Sequence, residues 1–303
     1  MTLRTDLRSL QQGGDPEIHE RVDLRAWTAL GVGGPADLLI RCRSGDGLQR
    51  ALDLLATHGQ RWLVLGSGSR LVPPDRGLRV PLLNLSGTMG LWELDPEGAV
   101  AGGGANLAQV CRAAARTGLP AFDTSVTAPG TIGGAFEASL RGHHPFNGLI
   151  SWVDVARPGR PAERVRFGDG GSPGSGVDLG RGVVVRARLQ LSRVPPAKAP
   201  EGADGIPRPT PIRQPRSAWP FVIVEPGSRS EELVADMGRR GVAAGGAQLS
   251  AEHFNRVCTS RSARSADVLE LARAVTEEAV RLTGLELRSA LRFVDEDGGE
   301  IVP

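Results

Sequence analysis

Two glycine-rich segments interrupt the apolar pattern of this chain. The first is Gly66-Ser67-Gly68-Ser69, which directly follows the apolar run Trp62-Leu63-Val64-Leu65. The second is Pro129-Gly130-Thr131-Ile132-Gly133-Gly134-Ala135. Because glycine has no Cβ, both segments allow the backbone to approach another group closely. The apolar run predicts a buried strand that ends at the first segment.

Each segment alone has more than one interpretation. Consecutive N–H groups in the first segment suit a pyrophosphate, although Gly-Ser turns after strands are common in proteins without such a ligand. The second segment is compatible with a flat ligand held against the backbone and equally with a tight crossing of two main chains. The choice between these alternatives needs further motifs.

Composition excludes several classes of protein. A chain of 303 residues with 40% hydrophobic and 23% charged residues has the proportions of a soluble protein, and it holds no apolar run of membrane-spanning length. The 36 basic and 34 acidic residues form no basic arm, so nucleic acid binding is not expected. No His or Cys spacing matches a metal site, and we expect none. The N-terminus lacks signal-peptide features and the three cysteines lie far apart, which predicts a cytoplasmic protein.

Periodicity predicts alternating helices and strands in the first half of the chain. Apolar spacing predicts a helix over residues 48–58 that stops at Gly59, and a second helix after the N-cap Asn106 that Gly118 closes. Residues 82–85 read as a strand. Period-two patterns at 152–155 and 183–191 predict an antiparallel sheet with one solvent-exposed face.

In the C-terminal part, the spacing of apolar residues predicts a long helix over residues 265–283. We expect Ser265 to cap its start and Gly284 to end it. Its core-facing stripe consists of Val268, Leu271, Val275 and Leu282. A shorter helix is predicted at 231–239, and a Pro- and Gly-rich stretch between Pro195 and Pro215 reads as a linker.

The order and spacing of four motifs support a single interpretation of both glycine-rich segments. The motifs are Thr28-Ala29-Leu30-Gly31-Val32-Gly33-Gly34-Pro35-Ala36; residues 64–72 followed by Asp75 and Gly77; residues 129–135; and Gly245-Gly246-Ala247-Gln248-Leu249-Ser250 with His253, Asn255, the long helix and Arg292. In these motifs the chain resembles the UDP-N-acetylenolpyruvoylglucosamine reductase (MurB) family, from about Thr28 to Val294.

The resemblance implies a fold, a cofactor and a substrate class. The fold is α+β / α/β, a three-domain MurB-like fold with a two-lobed FAD-binding module (1–85 and 86–192), a Pro-rich linker (193–216) and a C-terminal substrate-binding domain (217–303). FAD is the implied cofactor, NADPH the implied hydride donor and a UDP-sugar the implied small-molecule partner. Implied FAD contacts are Gly66, Ser67, Gly68, Ser69, Arg70, Leu71, Pro129, Gly130, Thr131, Gly133 and Gly134; implied substrate contacts are Gln248, His253 and Asn255.

The family's catalytic groups are substituted in this chain. In the family reaction, NADPH reduces FAD and the hydride then adds to the enolpyruvyl ether of the UDP-sugar. An arginine and a glutamate stabilise the enolate, and a serine or cysteine delivers the proton. Alignment of the local motifs places Gly170 at the arginine, Ala290 at the glutamate and Phe221 at the proton donor.

Three hypotheses follow from these substitutions. The chain is an active reductase that uses substitute groups, for which the candidates are Ser217, Ser172, Arg141, His143, His144 and Arg216. A solvated linker serine is the simpler interpretation of Ser217, and an exposed loop tip that of His143 and His144. Alternatively, it is a catalytically silent homologue that binds FAD or a UDP-sugar, or it acts on a different substrate. The sequence does not predict the oligomeric state.

Overall fold

The structure, a computed structural model, describes residues 2–119, 130–140, 149–167, 179–191, 216–223, 229–252 and 255–303. The α-helices in these ranges are α1 (Leu3–Gln11), α2 (Gly45–Thr57), α3 (Leu107–Arg116), α4 (Ile132–Leu140), α5 (Arg229–Arg239) and α6 (Ser265–Thr283). The first strands are β1 (Glu17–Asp23), β2 (Pro35–Cys42), β3 (Leu63–Val64), β4 (Leu71–Val72), β5 (Leu82–Leu85), β6 (Trp92–Asp95), β7 (Gly98–Gly102), β8 (Ile150–Arg157), β9 (Arg160–Arg166) and β10 (Val183–Gln190). The remaining strands are β11 (Arg216–Ala218), β12 (Val222–Ile223), β13 (Ala243–Ala244), β14 (Ala247–Leu249), β15 (Val257–Thr259), β16 (Arg288–Ser289), β17 (Arg292–Val294) and β18 (Glu300–Ile301).

The chain divides into two compact units, each assembled from three stretches of sequence. Unit 1 contains Met1–His19, Ile40–Gly66 and Leu83–Arg213, and unit 2 contains Glu20–Leu39, Ser67–Leu82 and Gln214–Pro303. A four-stranded sheet has the order β1-β2-β5-β3. The predicted linker lies outside the described residues except for Arg216, which begins β11. No helix in the described ranges combines the length and apolarity that a membrane crossing requires.

Unit 1 is built around a five-stranded sheet of order β6-β7-β10-β8-β9. Strand β10 pairs antiparallel with β7 and β8, which confirms the predicted antiparallel sheet. Ala187 and Leu189 on one face are buried with residues of α3 and α4. On the other face Arg164 lies 3.6 Å from the ring of Trp152 and donates to Asp154. The charged groups of this face pair with one another, which suits a face that lies at the surface.

Unit 2 contains a four-stranded sheet of order β11-β15-β14-β13, together with α5 and α6. Its core joins Val268, Leu271 and Val275 of α6 with Leu249 and Val257 of the sheet. Two smaller sheets complete the unit. Strand β12 pairs with β16, and β17 lies between β18 and β4.

Most predicted helices and strands are confirmed, with differences at their ends. Strand β5 occupies residues 82–85, Asn106 caps α3 by accepting from Gln109 N, and Gly284 ends α6 at φ 71°. Two predicted apolar positions are wrong. Val64 is 39% exposed and Leu282 is 43% exposed. Ala279 continues the buried stripe of α6 instead, since a 3.6-residue period turns Leu282 away from the core.

The predicted cap of α6 is also wrong. Arg264 occupies the N-cap position, and Ser265 begins the helix. The N–H groups of the first helical turn have no acceptor within the helix, and another part of unit 2 supplies one. Ser265 N donates to Asp75 Oδ1 at 2.7 Å, and Ala266 N donates to Asp75 Oδ2 at 3.1 Å. Asp75, which belongs to the second family motif, therefore serves as a tertiary helix cap.

Asp75→Ala should lower the free energy of unfolding by about 1–2 kcal/mol, because two N–H groups of α6 lose a charged acceptor. Urea titration measures the change. Asp37→Ala is the matched control, since Asp37 is exposed on β2. Equal unfolding free energies for the two variants would contradict the capping role.

Candidate functional site

The glycine-rich segment after β3 presents unused backbone donors. In the described part of the chain, the N–H groups of Ser67, Gly68, Ser69 and Arg70 donate to no protein acceptor. Gly68 is nevertheless buried. Ser67 is exposed, and Ser69 and Arg70 are half-buried. Consecutive backbone donors of this kind fit an anionic ligand such as a pyrophosphate.

The first family motif holds this segment in place within unit 2. Gly68 has φ 65°, and a Cβ at this residue would collide with the carbonyl oxygen of Trp27. Ala29 N donates to Gly68 O at 3.0 Å. Thr28 Oγ1 donates to Val32 O at 2.8 Å and so closes the turn that carries these groups. Only glycine satisfies both the backbone angle and the contact at residue 68.

Arg70 lies at the end of the segment without a counter-charge. Its carbonyl accepts from Arg292 N at 2.8 Å, which ties the segment to β17. Burial removes its guanidinium from water and lowers its pKa. No described carboxylate forms an ion pair with it. An uncompensated cation beside free N–H groups fits an anion at this place.

The second glycine-rich segment lies against Gly66 within unit 1. A Cβ at Gly66 would be 2.5 Å from Thr131 Oγ1. The structure thus brings Gly66 and Thr131, one residue from each predicted FAD segment, into contact. A larger residue at position 66 would displace the Thr131 hydroxyl.

The backbone donors of this second segment are engaged by protein. Ile132 N donates to Ala105 O at 3.0 Å, Gly133 N donates to Gly103 O at 2.8 Å, and Gly134 N lies 3.3 Å from Thr131 Oγ1. Gly130 O accepts from Leu107 N at 3.1 Å. The segment is a crossing of two main chains that leads into α4, one of the two interpretations left open by the sequence. Pro129 lies outside the described residues.

Phe221 and Ala290, two positions at which the sequence resemblance implies catalytic groups, are neighbours in unit 2. Ala290 N donates to Phe221 O at 2.9 Å. The side chain of Phe221 is fully buried, and Ala290 is 6% exposed. Phe221 belongs to the core of unit 2, and neither side chain offers an acid, base or charge. Gly170 lies outside the described residues.

Asn255 holds the Phe221 segment. Its Oδ1 accepts from Phe221 N at 3.2 Å and Val222 N at 2.9 Å, while its Nδ2 donates to Val222 O at 2.6 Å. The residue is 5% exposed and has φ 54°. Three of the four hydrogen-bonding positions of the amide are thus used by backbone.

The other candidate residues of unit 2 lie on the β11-β15-β14-β13 sheet. Gln248 is exposed on β14. Ser217 is the central residue of β11, so the interpretation as a linker serine is wrong. Arg216 Nη1 donates to Gly31 O at 2.9 Å, which engages this guanidinium with the first family motif. His253 lies outside the described residues.

Sequence reasoning missed Trp27, whose carbonyl defines the space at Gly68, and Arg256, which lies 3.5 Å from Ser217 Oγ. The Trp27 contact is made by the main chain, so no residue type in the sequence indicates it. Arg256 lies outside every motif with the spacing of metal ligands or nucleophiles.

Cys42, Cys111 and Cys258 are free thiols. Among the described residues no three His, Cys, Asp or Glu side chains lie together as metal ligands.

Comparison with known families assigns the class of protein. A family described as FAD binding domain matches residues 36–151, and the UDP-N-acetylenolpyruvoylglucosamine reductase C-terminal domain matches residues 206–294. The chain is therefore a flavoprotein with FAD as its cofactor. The reductase of Heliobacterium modesticaldum is 30% identical over 278 residues, covering 89% of this chain and 88% of that protein. The chain belongs to the UDP-N-acetylenolpyruvoylglucosamine reductase family.

Two further relatives agree. The reductase of Syntrophotalea carbinolica is 27% identical over 96% of both chains. The crystal structure of the MurB enzyme from Thermus caldophilus matches with a TM-score of 0.66 and 28% identity, covering 92% of this chain and 98% of that chain. These matches confirm the predicted MurB-like fold class with FAD-binding and C-terminal domains.

Gly66→Ala should destabilise the protein by about 1–3 kcal/mol, because the new methyl group overlaps the Thr131 hydroxyl. Thr131→Ala in the same chain removes the overlapping atoms and should restore part of the loss. Urea unfolding of the single and double variants measures this coupling. Gly90→Ala is the control, since a Cβ there meets no atom within 4 Å. Additive effects of the two changes would argue against the contact.

Proposed function

We propose that this chain binds FAD through residues 66–71 and 129–134 and carries out the NADPH-dependent reductase reaction of its family. The observation that carries the proposal is the set of unused N–H groups at Ser67, Gly68, Ser69 and Arg70. Family membership supplies the reaction. When bound, FAD would relay a hydride from NADPH to UDP-N-acetylenolpyruvoylglucosamine, giving UDP-N-acetylmuramate for peptidoglycan synthesis.

The residues present fit an FAD pyrophosphate in chemistry and in charge. Backbone N–H donors and the Arg70 guanidinium supply positive potential where a diphosphate carries two negative charges. Leu71 begins β4, whose parallel pairing with β17 fixes the end of this segment. Near Thr131, Gly133 and Gly134, the engaged backbone favours packing against the cofactor over direct donation to it.

A second candidate function is binding of FAD or a UDP-sugar without reduction. The burial of Phe221 and Ala290 supports it, since neither side chain can donate a proton or stabilise an enolate. Gly170, at the arginine position, has no side chain with which to offer a charge. The reductase proposal then requires substitute groups, and Ser217 is the candidate hydroxyl.

We also propose the domain organisation, substrate contacts and location that the sequence suggests. Segments 1–85 and 86–192 would form the two FAD-binding lobes, 193–216 the linker and 217–303 the substrate-binding domain. Gln248 and His253 would contact the UDP-sugar, and Asn255 would act by positioning the Phe221 segment. Free thiols at all three cysteines agree with a reducing cytoplasm.

Arg70→Gln should weaken FAD binding about tenfold to a hundredfold, because a charge-assisted contact to the pyrophosphate is lost. Flavin fluorescence titration of the apoprotein gives the Kd. Affinity for riboflavin, which has no phosphate, should not change. Arg76→Gln is the matched control on the same segment, since Arg76 is 88% exposed. An equal loss for FAD and riboflavin would contradict a phosphate contact.

Anaerobic reduction separates the two candidate functions. We expect the purified protein to be yellow, NADPH to bleach the flavin, and UDP-N-acetylenolpyruvoylglucosamine to restore its absorbance. Bleaching without reoxidation, or no bleaching by NADPH, would support the silent homologue. A colourless protein that takes up no added FAD would refute the flavin site itself.

A further inference from the structure

The glycine-rich segment after β3 leads into a turn, residues 73–77, that packs on the N-terminus of α6. We call residues 73–77 the Asp75 turn. Ser265 Oγ donates to Pro73 O at 2.6 Å in a buried position, and the carboxylate of Asp75 accepts from Ser265 N and Ala266 N. Only the two residues of β4 separate this turn from the glycine-rich segment. A short piece of chain therefore joins the proposed pyrophosphate site to the start of a long helix.

The first family motif holds the same turn within unit 2. Gly34 N donates to Pro74 O at 2.9 Å, and a Cβ at Gly34 would collide with the main-chain oxygen of Asp75. Directly after the turn, Leu78 N donates to Pro35 O at 2.9 Å. These main-chain contacts fix the path of the turn. A change in its contact with α6 should therefore be passed along the chain to the glycine-rich segment.

A second link joins the region before α6 to the glycine-rich segment. Arg25 Nη2 donates to Arg261 O at 2.6 Å and lies 3.4 Å from Ala263 O. Trp27, two residues after Arg25, supplies the carbonyl against which the glycine-rich segment packs. Both the chain that follows this segment and the turn against which it packs are thus anchored to residues 261–266.

Backbone donors bind an anion well only when the peptides that carry them are held in position. If a substitution lets the segment leave this arrangement, the apparent Kd rises by the inverse of the fraction of molecules that keep it. The carboxylate of Asp75 would also repel a pyrophosphate if it were free to approach one. Its two hydrogen bonds and the positive end of the helix dipole keep it at α6 instead.

We propose that Asp75 is a positioning residue for the pyrophosphate of FAD. By binding the N-terminus of α6, it holds the glycine-rich segment in the arrangement that presents its N–H groups. This positioning role, which rests on the proposed FAD site, couples cofactor affinity to a helix that lies outside both glycine-rich segments. Such coupling is reciprocal, so bound FAD should in turn tighten the first turn of α6.

Flavin fluorescence titration of the full-chain apoprotein measures the coupling. Asp75→Ala should weaken FAD binding about threefold to tenfold and leave the affinity for riboflavin, which has no phosphate, unchanged. Asp75→Asn should have a smaller effect, because its amide oxygen still accepts a hydrogen bond. Val275→Ala is the matched control. It removes buried methyl groups further along α6, so it destabilises the same helix without touching the cap and should leave the FAD Kd unchanged.

Hydrogen exchange at the first turn of α6 gives the reciprocal measurement. In the wild-type chain, saturating FAD should slow exchange of the peptide that contains Ser265 and Ala266, and riboflavin should not. Ser265→Ala removes the hydrogen bond to Pro73 O and is the second variant if Asp75→Ala does not fold. Its effect on FAD affinity should have the same direction and a smaller size.

The outcomes distinguish the positioning role from the FAD site itself. A wild-type chain that binds no FAD refutes the site and the positioning role together. If the wild-type chain binds FAD, three results would each overturn the positioning role alone. They are the same FAD Kd for Asp75→Ala and Val275→Ala, equal losses of FAD and riboflavin affinity, and exchange in α6 that FAD does not change.

Discussion

The close approach of Gly68 to the Trp27 carbonyl is the constraint on which the glycine-rich segment after β3 depends. It requires a residue without Cβ at a positive φ, and the hydrogen bond from Ala29 N to Gly68 O then fixes the peptide. The N–H groups of residues 67–70 donate to no acceptor among the residues that the structure describes. A preformed set of donors requires little reorganisation when an anion binds, which is the physical advantage of building it from backbone.

A second feature of unit 2 is a pair of arginines whose positive charge no described carboxylate neutralises. Arg70 and Arg256 both lie partly removed from water without a carboxylate partner in the described part of the chain. Neither arrangement helps the free protein to fold, because desolvation of a cation opposes burial. The proposed FAD pyrophosphate would supply the missing negative charge at Arg70. By contrast, Arg164 and Arg188 of unit 1 pair with Asp154 and Asp95 and need no ligand.

Main-chain hydrogen bonds hold the Phe221 region in place. Asn255 binds the backbone of residues 221 and 222, and Ala290 binds the carbonyl of Phe221, so the local path of the chain is specified by main-chain hydrogen bonds. Such bonds do not depend on the side chain at 221. The side chain of Phe221 packs in the core of unit 2, and Ala290 is buried.

The sequence alone determined the family, the order of helices and strands, the antiparallel sheet of unit 1 and the two glycine segments, because periodicity and motif spacing are local properties. It could not show that α6 is capped by Asp75, about 190 residues away, nor which glycine segment keeps its N–H groups free. Both segments look alike in sequence. Only the tertiary structure placed Gly103 and Ala105 against the second segment and left the first without acceptors in the described ranges, since a backbone donor is satisfied by whichever carbonyl the fold brings to it.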